Sequence, residues 1–283
     1  MNLPLPPARN RRCVVLLSGT LNDTTVVRYR ALCADVDRQI DIVLVLTDAL
    51  GMAANALGLE NVEILQPDDI YLNAYGEKSK ARRIVPGNTD LVMLAFLRRR
   101  PWYDHVWMVE YDVFFPHGFE PLLRIDAASD ADLILATGPH IRKQCESWFH
   151  WKSFKPGKGA EHLQDTEAAH GLFCMARYSA PLLAAVDRAY RDGWTGHHEA
   201  TVTSIARWSG LKVDSLNAVA RRVLGAPVHT MASFHVRDCA ATEGALVYHP
   251  VKTLEREAEL RRAIAEQTRL ALPARLIPQR EGG

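Results

Sequence analysis

Cysteine is scarce in this 283-residue sequence: five residues, Cys13, Cys33, Cys145, Cys174 and Cys239, odd in number and widely spaced. With no CxxC pair among them, neither a disulfide framework nor a zinc ribbon is expected, and a reducing, cytoplasmic setting fits best. An excess of either charge is missing too. The 34 Lys and Arg stand against 33 Asp and Glu, a formal charge of +1, which gives no electrostatic drive toward nucleic acid or an anionic membrane. The basic runs RNRR (9–12), KSKARR (78–83) and RRR (98–100) are short enough to read as solvated faces. No apolar run approaches the roughly 20 residues of a membrane span, and Cys13–Leu17 is far shorter than a signal-peptide core. A soluble protein is expected, with residues 1–11 as a flexible, proline-bearing tail. Three nucleotide and hydrolase signatures are also absent. No GxGxxG follows the first apolar run, where LSGTLND stands instead, and neither GxxxxGK[ST] nor GxSxG occurs.

What is present is an alternation of short apolar runs with helical patterns. CVVLLSG (13–19) and DIVLVLTDA (41–49) are continuous and rich in Val, Ile and Leu, as parallel strands covered on both faces require. Residues 24–37 between them carry a helical spacing, so the chain starts β-α-β. VEILQP (62–67) reads as a third strand. A helix over 88–100 starts at the capping residues Asn88 or Thr89 and stops at Pro101. Strands are expected at 105–115, 132–138, 171–179, 211–216, 229–236 and 244–250, and helices at 180–192, 197–210 and 253–272. No period of 20–50 residues appears, so the fold class is α/β with an open, mostly parallel sheet of Rossmann type flanked by helices. The pattern breaks at 139–169, a long loop rich in aromatics, Lys and Gly, and loops of that length are commonly functional.

HVWMVEYDVFF (105–115) sets two acids into an otherwise apolar strand. Side chains alternate, so Val106, Met108, Glu110 and Asp112 share one face. Two carboxylates about 7 Å apart along a strand are costly to bury and repel each other. A divalent cation between them removes both costs. They stand at the carboxyl end of the run, where open α/β sheets gather ligands. Hard carboxylate oxygens suit Mn²⁺ or Mg²⁺, with substrate phosphates completing the coordination. Taken alone, an acid-x-acid pair also fits a salt-bridged Glu110 and a turn-capping Asp112.

Three spaced features resemble the glycosyltransferases of the GT-A fold. VWMVEYDVFF is similar to the family's DXD motif as an E-x-D variant. The resemblance implies that Asp112 binds the metal holding the donor diphosphate, with Glu110 on metal or ribose. GWTGHHEATVTSIARWSGLKV (193–213) is similar to the acidic motif that opens a helix, which implies Glu199 as general base toward the acceptor hydroxyl. The chain has His-Glu-Ala where the family commonly has x-E-D. YHPVK (248–252) resembles the late histidine that adds a metal ligand, here His249. The likeness spans roughly residues 13 to 252 and extends, through PGNTDLVMLAFLRRRPWYDHVWMVEYDVFF, to uncharacterised bacterial and fungal GT-A-like proteins. It implies a single catalytic domain over 12–252, with a nucleotide-binding half at about 12–138 and an acceptor half at about 139–252, followed by a C-terminal helix and tail at 253–283. The implied activity is metal-dependent sugar transfer from a nucleotide-diphosphate sugar, UDP-linked, to an acceptor hydroxyl. It is inverting if Glu199 is the base and open to retention if Glu199 only binds substrate.

Other candidates follow from position. In this fold the base and ribose would meet Ser18, Gly19 and Thr20 after the first strand and Thr47 and Asp48 after the second, and Asn88 is counted with them; ordinary strand-to-helix turns explain the same residues. Trp148, Phe149, Trp151 and Phe154 could stack on a sugar or pack the loop onto the body. His197 and His198 could position substrate or cap a helix. A sugar-phosphate nucleotidyltransferase is the rival enzyme, although LSGTLND lacks the second glycine and the basic residue of its usual loop. A non-catalytic nucleotide- or carbohydrate-binding protein is the rival of another class.

Overall fold

A computed structural model describes residues 11–36, 40–47, 54, 57–84, 87–232 and 245–271. Strand β1 (Arg12–Ser18) leads into helix α1 (Asp23–Asp35), whose first turn is capped by Asn22 accepting from the Thr25 N–H at 2.9 Å. Strands β2 (Asp41–Leu46) and β3 (Val62–Ile64) follow, then helix α2 (Thr89–Arg99) and strand β4 (His105–Glu110). Helix α3 (Glu120–Ala128), strands β5 (Leu133–Ile141) and β6 (Ala169–Ser179), and helices α4 (Ala180–Arg191) and α5 (His198–Trp208) continue the chain. Strand β7 (Val213–Ser215), helix α6 (Leu216–Leu224), strands β8 (Val228–Ala232) and β9 (Ala245–His249) and helix α7 (Leu254–Ala271) complete it.

Seven strands form one sheet in the order β3-β2-β1-β4-β6-β5-β7, and β8 and β9 form a separate parallel pair. The sheet is mostly parallel; only β6 runs against its neighbours β4 and β5. The expected α/β class and open sheet are therefore observed. Continuous apolar runs explain the double-sided burial. Val15, Leu17, Val43, Val45, Val106 and Met108 face the side covered by α2, α4 and α5. Val14, Leu16, Leu44, Leu46, Trp107 and Val109 face the side of α1, α3 and α6. One strand then carries two cores, as its uninterrupted hydrophobicity demands.

Strand β4 corrects the sequence reading. It ends at Glu110, and Tyr111 and Asp112 form a turn, so the alternation argument does not extend to Asp112. The backbone leaves the sheet there because Phe114 pairs in both directions with Tyr248, with N–O distances of 2.9 and 3.0 Å. Helix α6 was also not expected. Ser215 caps it and Leu216, Val219 and Ala220 bury against the core, whereas the sequence reading extended a strand to 216. The expected long loop at 139–169 is shortened from its start, since β5 runs to Ile141.

The chain builds β1 to β3 outward on one side and returns to place β4 on the other side of β1. The crevice between the carboxyl ends of β1 and β4 is thus a topological switch point, where open α/β sheets take their ligands.

Candidate metal centre and adjoining cavities

At that switch point the register pairs Leu17 with Glu110, and the Tyr111 N–H continues the ladder to the Leu17 carbonyl at 2.9 Å. Asp112, two residues on, is buried to 7% exposure. Its carbonyl accepts from the Val251 N–H at 2.7 Å, which ties the turn to the segment after β9. The Phe114–Tyr248 pairing and this bond together bring His249 over the two acids. His249 Nε2 lies 3.2 Å from Glu110 Oε2 and 3.3 Å from Asp112 Oδ1. Glu110, Asp112 and His249 each offer a ligand atom within 4.8 Å of the others.

Metal–oxygen distances near 2.1 Å place adjacent octahedral ligands about 3 Å apart, close to the spacings from His249. Two carboxylate oxygens and one imidazole nitrogen leave further positions for water or phosphate, which suits Mn²⁺ or Mg²⁺. The electrostatics agree. Burial raises the Glu110 carboxyl above its ordinary range, and His249 draws it back. Burial pulls His249 down, yet hydrogen bonds to Asp112 and Glu110 outweigh that and lift it to about 9. A cation sitting among these groups replaces the proton that the histidine otherwise holds.

A cavity of about 270 Å³ opens beside the triad, lined by Leu17, Gly19, Thr47, Ile84, Thr89, Glu110, Tyr111, Asp112 and Lys252. Gly19 and Thr47, two of the candidates for nucleotide contact, therefore line this cavity. Ser18 does not: it is 1% exposed and its hydroxyl is committed to the Thr20 carbonyl and Thr25 Oγ1, closing the turn into α1. Thr20 belongs to the same turn, its carbonyl accepting from Ser18 and Thr25. Asp48 lies outside the described residues. Lys252 was not singled out from the sequence, though it sits three residues beyond His249. It is exposed on the cavity wall and its charge lowers the Glu110 carboxyl.

Glu199 occupies the first turn of α5, where His197 caps the helix through Nδ1. Its carboxylate accepts from the Phe173 backbone and feels Glu110 and His249, but burial dominates and raises it to about 7. It stands 3.9 Å from His197 Nδ1. His197 in turn lines a second cavity of about 420 Å³ with Asn88, Phe149, His150, Lys152 and Ser153. Glu199 thus neighbours His197 on the wall of the second cavity and lies within electrostatic reach of Glu110 and His249. Asn88 therefore faces the second cavity and not the first, and its amide is spent on the Arg83 carbonyl at 2.7 Å.

Among the loop aromatics, Phe149 is the open one at 68% exposure. Trp151 is 5% exposed, donates to the Cys145 carbonyl and packs edge-on against Phe154. Trp148 stacks on His170 at 4.0 Å and 7°. Both tryptophans thus anchor the loop, the packing alternative weighed for them. His198 is buried against Phe173, its N–H bound to the Gly87 carbonyl at 2.9 Å, and desolvation depresses it to about 3. His198 lines neither of the two cavities.

A buried lysine holds this corner. Lys78 Nζ lies 3.1 Å from Asp90 Oδ2 and donates to the Gly196 and Gly87 carbonyls. It joins the loop before α2 to the loop before α5. Gly87, at φ +96°, is required at the crossing, since a Cβ would stand 2.5 Å from His197 Cδ2.

The fold and site define an open α/β protein with two acids and a histidine gathered at its switch point, a set that could hold a metal ion. No protein-family model matches the chain, and no curated protein matches it. Solved structures similar to it include a galactosyltransferase, LgtC, in complex with donor and acceptor sugar analogs, at 13% identity and TM-score 0.47, covering 89% of this chain and 95% of that one. Mouse xyloside xylosyltransferase 1 in its apo form matches at 10% identity and TM-score 0.44, covering 86% and 97%. Glucosyl-3-phosphoglycerate synthase from Mycobacterium tuberculosis, with Mn²⁺, UDP-glucose and phosphoglyceric acid, matches at 12% and 0.41, covering 75% and 76%. Likenesses this slight assign no activity. No helix among the described residues is long and apolar enough to cross a membrane.

Proposed function

We propose that this protein is a metal-dependent glycosyltransferase that moves a sugar from a UDP-linked donor to an acceptor hydroxyl. One observation carries the reading: Glu110, Asp112 and His249, distant in sequence, converge beside a cavity at the switch point of an open sheet. A single catalytic domain spanning about 12–252 contains every residue invoked.

Asp112, Glu110 and His249 would hold Mn²⁺ or Mg²⁺, and the imidazole nitrogen favours Mn²⁺. The bound ion would supply Lewis acidity toward the departing diphosphate. Gly19 and Thr47 flank the cavity on the nucleotide side, and Lys252 offers its ammonium to phosphate oxygens. The acceptor would enter the second cavity and lie against Phe149, whose open ring suits the C–H face of a sugar. Glu199 is then the base. A carboxylate raised to about 7 is part-protonated at neutral pH and takes a proton from a hydroxyl better than one at 4.5. Its nearness to His197 on the second cavity's wall and to the charges of Glu110 and His249 suits in-line attack with inversion at the anomeric carbon.

Calorimetry of UDP with and without Mn²⁺ tests the reading. Binding should be strongly metal-dependent, and Asp112→Asn should remove both that dependence and metal-dependent hydrolysis of a nucleotide sugar while leaving the melting temperature within a few degrees. Metal-independent UDP binding, or none, would overturn it. A nucleotide-sugar panel then identifies the donor, and the anomeric configuration of the product decides between inversion and retention.

A further inference from the structure

The metal triad is gripped from behind by the last helix. Arg28 on α1 is 7% exposed, and its Nη1 donates to the carbonyls of Tyr111 and Val113, the two residues flanking Asp112. Its Nη2 stands 3.5 Å from Glu257 Oε2 on α7, and both side chains are largely buried, at 8% and 13% exposure. Leu260 and Arg261, on the next turn of α7, reinforce the link. Leu260 of α7 packs in one cluster with Phe114, Tyr248 and Val251. The Arg261 guanidinium, itself 2.8 Å from Glu257, lies 4.7 Å over the Phe114 ring. Phe114 follows Asp112 by two residues, and Tyr248 and Val251 bracket His249, so α7 holds both segments that furnish the ligands.

The charges give this arrangement a function. Burial weakens Arg28 as a cation, and the carboxylates that sustain it are Glu257 first and Asp112 second. While Glu257 neutralises Arg28, the guanidinium serves the turn's carbonyls and leaves the Asp112 carboxylate to a metal. Without Glu257, a buried positive charge remains beside the cation centre with Asp112 as its next partner. It would compete with the metal for that carboxylate and repel the ion.

We propose that Arg28 and Glu257 are positioning residues for the metal centre, and that docking of the C-terminal helix α7 sets its affinity for a divalent cation. The inference rests on the metal-site reading above. Partners of this kind typically change metal affinity by tenfold to a hundredfold. The group matched here is the charge of Glu257 and not its length, which separates positioning from simple packing. Glu257→Gln keeps the shape and loses the charge; Glu257→Asp does the reverse.

The experiment is a Mn²⁺ titration of the full chain, followed by electron paramagnetic resonance or calorimetry, for wild type, Glu257→Gln, Glu257→Asp and Glu259→Gln. Glu259 pairs with Arg256 on the exposed side of α7 and serves as the control. The wild type and Glu259→Gln are expected to bind one Mn²⁺ with equal affinity, Glu257→Asp to stay within about threefold, and Glu257→Gln to weaken by tenfold or more. If Glu257→Gln does not fold, Arg28→Lys replaces it, since lysine keeps the charge and loses the fork that reaches the turn's carbonyls with one nitrogen and Glu257 with the other; the same weakening is expected. Wild-type affinity in the Gln variant, or greater loss in Asp than in Gln, overturns the positioning role and leaves the metal site standing. Failure of the wild type to bind Mn²⁺ takes both down.

Discussion

Replacing Glu199 by glutamine removes an ionisable group from a place where ionisation is costly, while keeping its shape and its ability to accept from the Phe173 backbone. Burial raises this carboxyl from 4.5 to about 7. For an acid held high by the fold, the protonated form is the one folding favours. The associated stability is therefore fully present below about pH 4.5 and is lost as pH rises through 7. Above that window the wild type carries a charge costing about 3 kcal/mol, at about 1.4 kcal/mol for each tenfold displacement of the equilibrium. Glu199→Gln escapes this cost. The desolvation of its amide is the same at every pH, so the comparison of two pH values isolates the carboxylate. Urea unfolding in the presence of EDTA should show the variant gaining about 2 kcal/mol on the wild type between pH 5 and pH 8, with an unchanged m-value. Added Mn²⁺ should narrow the gap at pH 8, because a cation held by Glu110 and His249 offsets part of the cost of the nearby charge. A stability difference independent of pH, or one that moves against the variant as pH rises, would refute the burial argument. The same variant should lose transfer activity, so that stability and catalysis move in opposite directions.

Three further outcomes follow from the site. Lys78→Met should destabilise the protein by about 3 kcal/mol, measured by chemical denaturation, because it strands the buried Asp90 carboxylate. Adding Asp90→Leu should recover much of the loss, and a single variant as stable as the wild type would show that the pair is not buried as described. Phe149→Ala should raise the acceptor KM while leaving UDP affinity with Mn²⁺ unchanged; an effect on UDP binding would place the ring on the donor side. Lys252→Ala should weaken UDP binding by about fivefold and flatten its salt dependence, as for one exposed charge-assisted contact, and calorimetry at two ionic strengths reads both.

Much of the scaffold was legible in the chain. Uninterrupted Val, Ile and Leu at 14–17 and 42–46 announced strands buried on both faces, and they became β1 and β2. The helix expected over 88–100 from its capping residues and the stop at Pro101 became α2, Thr89–Arg99. Such features depend on neighbours a few residues apart, so a sequence displays them. The candidate site was legible in its types and only partly in its members. Glu110, Asp112, Glu199 and His249 were named from motif and position, and the structure brings Glu110, Asp112 and His249 into one cluster with Glu199 close enough to feel it. The loop residues were less readable. Trp148, Phe149, Trp151 and Phe154 admitted either sugar stacking or packing onto the body; Trp148 and Trp151 pack onto neighbouring side chains, and Phe149 is the ring left open. His197 and His198 are adjacent, and the helix start sends one to a cavity wall and the other into the core.

The sequence by itself determined the class of fold, through apolar runs whose length and composition admit few other structures, and it determined that two acids would stand at the end of a buried strand. Tertiary structure alone decided what those acids do. Strand β4 stops at Glu110 because Phe114 pairs with Tyr248, and that contact, between residues more than a hundred positions apart in the chain, carries His249 to the acids. The Lys78 tether, the cavity floor at Gly19 and Thr47, and the Glu257–Arg28 link behind Asp112 are likewise contacts between distant segments. No local propensity encodes them, since each arises only when the packed layers bring the segments within reach.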